Sequence, residues 1–109
     1  MLLFVYGMLK KGFGLNRLLK NSIYKGVGVL EDYGLYASSL CPFVVKEEGE
    51  KVIGEVYEID EKTLSVLDLI EVGYIRRLEN VRMGDISVIA FVYVKIMKGG
   101  KKVITGIYK

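Results

Sequence analysis

The chain has no histidine, no glutamine, one cysteine and one proline. Without histidine, every triad built on imidazole is excluded, as are the common zinc sites with histidine ligands. Metal-free chemistry must then come from carboxylates, tyrosines, hydroxyls and backbone amides. The lone Cys41 rules out an internal disulfide and fits a reducing, cytoplasmic compartment. As a nucleophile it lacks a histidine to activate it. Long hydrophobic runs are also missing. Met1 to Leu9 is the longest nearly uncharged start; it is too short to cross a bilayer and leads into Lys10 and Lys11. No basic segment precedes it, so it does not read as a signal peptide. No linker, repeat or low-complexity tract interrupts residues 1–109, which are expected to form one domain.

What is present is apolar. Hydrophobic residues make up 51% of the chain and the mean hydropathy is +0.32. That favours strands buried on both faces or an apolar subunit interface, so monomer and homodimer both stay open. Abundant Lys, Glu and Ile, beside the missing glutamine, lean toward a thermophilic source. Net charge is +3, with Lys95, Lys98, Lys101, Lys102 and Lys109 toward the C-terminal end. Such a cluster can touch nucleic acid. The plainer reading is a solvated hairpin tip, and neither a nucleic-acid nor a membrane partner is expected.

Leu2 to Tyr6 is a continuous apolar run ending at Gly7 and reads as a buried central strand. Leu15 to Leu19 suggests a short helix. Val27 to Tyr36, with Gly28 and Gly34, suggests a bent or bulged strand. Val44 to Lys46 and Val52 to Ile59 flank Glu47-Glu48-Gly49-Glu50, read as a charged hairpin turn. Tyr74 to Arg82 and Ile86 to Met97 are expected strands joined at Gly84-Asp85, and Gly99-Gly100 is expected to close a last hairpin into Val103-Ile104. Ile86, Val88, Ala90, Val92 and Val94 form one face of the long strand, and Ile89, Phe91 and Tyr93 the other. Both are apolar, as in a central strand or a closed barrel. The expected class is α+β: a small mixed barrel-like sheet with one main helix and a short second one.

Asp60 to Glu71 is the main helix, with Asp60 as its N-cap. At about 100° per residue Glu71 falls between Leu64 and Leu67 on the apolar side, opposite Glu61, Ser65 and Asp68. Partial burial and the negative end of the helix dipole both disfavour its ionised form, and Gly73 reads as the helix stop. No lysine or arginine stands one turn back to compensate. A raised pKa suits a carboxyl that both takes and gives a proton near neutrality. The bland alternative is that Glu71 frays out at the helix end. Asp68 reads as solvated or holding a nearby turn. Glu55, between Ile53 and Tyr57, is a competing inward-facing acid.

Gly7 lets the chain turn sharply and a ligand approach closely, and amides at such a turn can bind a carboxylate or oxyanion. Taken alone, the glycine is read first as an ordinary strand-ending turn. The nearby glycines do not make a nucleotide site: Phe13 follows Gly12 where a P-loop needs lysine, and Arg17 stands where a third glycine would be. Tyr6 and Tyr93 lie on apolar strands and need partners for their hydroxyls.

Four segments in order, LFVYGMLKKG, GEVYEID, LDLIEVGYIRR and AFVYV, resemble the γ-glutamylcyclotransferase-like family. The branch they are similar to holds γ-glutamylamine cyclotransferases and the butirosin-biosynthesis enzyme. The resemblance runs from about residue 2 to residue 95. It implies a small mixed barrel, a substrate-holding loop at Tyr6, Gly7, Met8 and Leu9, and a catalytic acid at Glu71. It also implies substrate contacts from Tyr74 and Arg76, with Tyr93 of AFVYV as a further candidate, and no metal or cofactor. Met8 stands where the family has threonine or serine, and Cys41-Pro42 where it often has Tyr-Pro. The implied activity is cleavage of a small γ-glutamyl amide by its own α-amine, giving 5-oxoproline and a free amine. The alternative is a non-catalytic module that binds a small ligand on the same fold.

Overall fold

The structure, a computed structural model, describes residues 1–39 and 41–109. Its strands are β1 (Leu2–Val5), β2 (Ile23–Ala37), β3 (Pro42–Glu58), β4 (Ile75–Met83), β5 (Ile86–Val94) and the short β6 (Lys101–Lys102). They lie in the order β3-β1-β5-β4-β2-β6, and β2 pairs back onto β3, which closes the first five into a barrel. β1 and β5 run parallel, while the other neighbours are antiparallel. One helix, α1 (Glu61–Ile70), and a 3-10 turn (Asn16–Leu19) complete it. The mixed barrel with one main helix and a short second one is as the sequence implies.

Strand alternation builds two apolar layers. Phe4 points into the barrel with Leu30, Val44, Val52, Val56, Val81 and Val92. Leu3 and Val5 point outward and are capped by Tyr57, Leu64, Leu67 and Tyr93. Both faces of β1 are therefore buried, which is why its sequence is unbroken hydrophobe. Leu67 is fully buried and ties α1 to the barrel wall. A Leu67→Ala variant is expected to lose about 2–5 kcal/mol of stability, read by urea unfolding; a loss under 1 kcal/mol would mean that the helix is not held this way.

Three expectations about strand organisation are corrected. Glu47 to Glu50 is not a hairpin turn. Both flanking segments pair with β2, and the register jumps from Glu31↔Lys51 to Tyr33↔Lys46. Asp32 at φ 61 and Gly49 at φ 84 oppose each other there, and the Asp32 carboxylate accepts from the Gly49 amide at 3.0 Å. Turn-forming residues here absorb extra chain and bend a continuous strand pair, which curves the barrel. The real β2–β3 hairpin has Ala37↔Pro42 as its last registered pair, and beyond it the Ser38 amide donates to the Cys41 carbonyl at 3.3 Å.

The long strand stops at Val94 rather than Met97, and no hairpin returns to it. Both its edges are already occupied by β1 and β4, so the chain after it has no free edge to pair with. That chain crosses to β2 instead, with Tyr36↔Lys102 in register. The start of β5 is also less buried than its composition suggests: Ile86 and Ile89 are exposed, because β1 is only four residues long and meets β5 at Phe91.

Candidate active site

The Asp60 carboxylate caps α1 by accepting from the Thr63 amide at 2.8 Å. The helix ends one residue before Glu71, whose amide donates to the Leu67 carbonyl at 2.8 Å. Gly73, at φ 88, lets the chain reverse, and the Tyr74 amide donates to the Glu71 carbonyl at 3.2 Å. Glu71 and Tyr74 are thereby delivered to the lining of one pocket of about 70 Å³. Tyr6, Gly7, Met8 and Leu9, where β1 breaks into a turn, line the same pocket, as do Cys41, Pro42 and Tyr93.

The turn after β1 is tightly organised. The Gly7, Met8 and Leu9 carbonyls accept from the Lys10 amide at 3.0 Å and the Leu15 amide at 3.1 Å and from Asn16 Nδ2 at 2.7 Å. Among the described residues, nothing accepts from the amides of Gly7, Met8 or Leu9. A Cβ on Gly7 would lie 2.3 Å from Pro42 Cγ, so only glycine lets the turn pass beneath the β2–β3 hairpin.

The pocket tyrosines are held as donors. Tyr6 donates its hydroxyl to the Tyr93 carbonyl at 2.7 Å, Tyr93 donates to Asp68 Oδ1 at 2.7 Å, and Tyr74 donates to the Pro42 carbonyl at 2.7 Å and contacts Cys41 Sγ at 3.0 Å. Burial is the first cause raising all three phenols. Neighbouring Tyr74 and Glu71 add to it for Tyr6, Cys41 and Glu71 for Tyr74, and Asp68 for Tyr93. Neutral near pH 7, they position and do not act as bases. Glu71 is different. Burial pushes its carboxyl above the ordinary range, and the positive charge of Lys95 pulls the other way. Among the described residues, no group donates a hydrogen bond to that carboxyl.

The structure brings Glu71, Tyr6, Gly7, Met8, Leu9, Tyr74 and Tyr93 together around this one pocket. Arg76 is not among them. It lies on β4 and ion-pairs with Asp68, its guanidinium 4.8 Å from the centre of the Phe91 ring. Glu55 is also outside the pocket: its carboxylate accepts from the Lys11 amide at 2.9 Å and the Tyr57 hydroxyl at 3.1 Å. Sequence reasoning missed Asp68, Asn16 and Lys95. Asp68 sits on the polar side of the helix by spacing, yet it reaches Tyr93 and Arg76. Asn16 holds the Leu9 carbonyl across a loop with no periodic signal. Lys95, two residues beyond Tyr93, was readable from strand alternation.

Residues 3–108 match the family profile described as gamma-glutamyl cyclotransferase, AIG2-like. The chain belongs to that family. A protein of Methanocaldococcus jannaschii named "Putative gamma-glutamylcyclotransferase MJ1514" is 46% identical over 71 residues, covering 62% of this chain and 58% of that protein. The chain thus spans somewhat over half the length of that curated relative. An uncharacterized protein from Pyrococcus horikoshii has a crystal structure that matches with a TM-score of 0.81 at 34% identity, over 98% of this chain and 88% of the other. The AIG2-like protein of Mus musculus matches with a TM-score of 0.80 at 28% identity, over 90% and 78% of the two chains. The AIG2-like barrel is therefore a framework this chain shares with those proteins.

Proposed function

We propose that this chain is an enzyme, a single-domain γ-glutamyl cyclotransferase acting on a small γ-glutamyl amide in the cytoplasm. The observation that carries the reading is a half-buried carboxyl, Glu71, lining the same pocket as the Gly7 to Leu9 turn, whose amides donate to no acceptor among the described residues. Glu71 as carboxylate takes a proton from the substrate's α-ammonium. The freed amine attacks the γ-carbonyl carbon and closes a five-membered ring. The amides of Gly7 to Leu9 bind the substrate carboxylate or the oxyanion that develops on the carbonyl oxygen. The bond to the departing nitrogen then breaks as Glu71 returns its proton to it. Over the cycle the α-nitrogen loses two protons and the departing nitrogen gains two. The products are 5-oxoproline and a free amine.

Because attack is intramolecular, much of the entropic cost is already met within the substrate. No step calls for a metal, a cofactor or an outside nucleophile. Tyr6, Tyr74 and Tyr93 shape the pocket as neutral donors, and Arg76 acts only through Asp68 and Tyr93. The test is a panel of γ-glutamyl amino acids and amines, with amine release as the readout. An N-acetyl-γ-glutamyl amide, whose α-nitrogen cannot attack, is expected to be inert; its turnover would contradict the mechanism.

Met8 favours a second reading, a module that binds a small acidic ligand without converting it. Met8 lines the pocket where the family has a hydroxyl residue. If amides do the holding, Met8→Thr changes turnover less than about threefold, since an unchanged contact changes no barrier. A gain of tenfold or more would mean that a hydroxyl is missing from the site. Ligand-dependent thermal stabilisation without product release would favour the binding module.

A further inference from the structure

Lys95 is the first residue after β5, and its backbone is pinned against β3. Its amide donates to the Val44 carbonyl at 2.9 Å, and it forms a parallel bridge with Val45. The ammonium lies 4.8 Å from the centre of the Tyr74 ring and 5.1 Å from that of Phe43. Phe43 is in turn stacked on Tyr36 at 5.9 Å. Two rings therefore share one cation, an arrangement that is attractive when partly desolvated. Its neighbours in sequence are used differently. Lys98 and Lys102 pair with Glu47 at 3.0 and 3.3 Å, and Lys102 also with Glu50 at 2.7 Å. Among the described residues, Lys95 has no carboxylate within ion-pair distance.

Tyr74 is thus held from two directions. Its hydroxyl is bound by the Pro42 carbonyl, and its face is covered by Lys95. The same ring lines the pocket beside Glu71. We propose that Lys95 is a positioning residue of this site: clamped between Phe43 and Tyr74, its ammonium fixes the Tyr74 wall and stands as the counter-charge to the Glu71 carboxyl. In the reaction read above, on which the functional meaning rests, this counter-charge offsets the effect of burial and favours the carboxylate that accepts the proton.

The other titratable groups facing Glu71 do not duplicate this. Tyr6 just after β1 and Tyr74 after α1 stay neutral near pH 7. Cys41 comes from the β2–β3 hairpin, and Asp68 on α1 is taken by Arg76 and Tyr93.

The test needs no turnover. The Glu71 carboxyl is titrated by NMR with 13C-labelled glutamate, its signal assigned by its loss in Glu71→Gln. In Lys95→Met, which keeps the apolar stem, the Glu71 midpoint is expected to rise by about one pH unit, the scale of a removed opposite charge. Lys95→Gln, a second neutral variant, should give the same rise, and Lys95→Arg should stay near wild type. The acid limb of kcat/KM should move up in pH with the midpoint. A Glu71 midpoint unchanged in the neutral variants would overturn the proposal. If the wild type converts no γ-glutamyl amide, the cyclotransferase reading fails while the titration still decides the role of Lys95.

Discussion

Glu71→Gln should lower kcat by about 10²–10⁴-fold, the usual contribution of one positioned general acid–base group, while the protein folds normally. The amide is nearly isosteric and can neither take nor return a proton. The pocket and the Gly7 turn should remain, so KM is expected to change little. The same substitution makes a second, opposite prediction for stability. Burial raises the folded-state pKa of Glu71 above its ordinary value of 4.5. A carboxyl shifted in that direction favours the fold fully below the unfolded pKa, and that contribution is lost as pH rises through the folded value. At neutral pH the ionised, half-buried Glu71 is therefore a burden on the fold. Glu71→Gln should melt higher than wild type at pH 7, and the gap should close below about pH 4.5. A variant that is inactive and less stable at pH 7 would mean that Glu71 holds the structure together rather than serving a reaction.

The second large effect is expected at Gly7. A methyl there would stand 2.3 Å from Pro42 Cγ, and neither the turn nor the hairpin is free to yield. The Gly7, Met8 and Leu9 carbonyls are all held within the chain. Pro42 is buried and its carbonyl receives the Tyr74 hydroxyl. Gly7→Ala should therefore displace the amides of this turn by a few tenths of an ångström or more. Removing one oxyanion donor alone costs about 10²–10³ in kcat, so kcat/KM is expected to fall at least that far. Its far-ultraviolet circular dichroism should stay like that of the wild type. Retained kcat/KM in a folded Gly7→Ala would remove the amides of this turn from the mechanism.

How much of this was readable beforehand divides by the range of the interactions. Glu71 was found by local geometry, because Leu64 and Leu67 bury one stripe of a capped helix and the acid falls on the same stripe. The break at Gly7 was visible for the same local reason, as a strand of pure hydrophobe stopping at a glycine. Pairing partners were not local. Glu47 to Glu50 has the composition of a turn, yet β2 is long enough to pair with both flanks, and Asp32 opposite Gly49 turns the excess chain into a bulge. The hairpin expected after β5 fails because barrel closure uses up both edges of that strand, a condition no short window contains. Asp68 defeated the face argument, since a residue at the edge of a polar stripe can still reach a tyrosine on the neighbouring strand. The role given to Arg76 came with the resemblance. In this chain Asp68 and Phe91 hold it away from the pocket.

The most direct measurement follows the fate of solvent oxygen. The wild-type protein and Glu71→Gln would be incubated with γ-glutamyl amides in H2 18O and the products weighed by mass spectrometry. Intramolecular attack predicts unlabelled 5-oxoproline from the wild type and almost none from Glu71→Gln. Glutamate carrying one 18O would show that water is the nucleophile, and that result, or unlabelled 5-oxoproline formed equally by both proteins, would contradict the account.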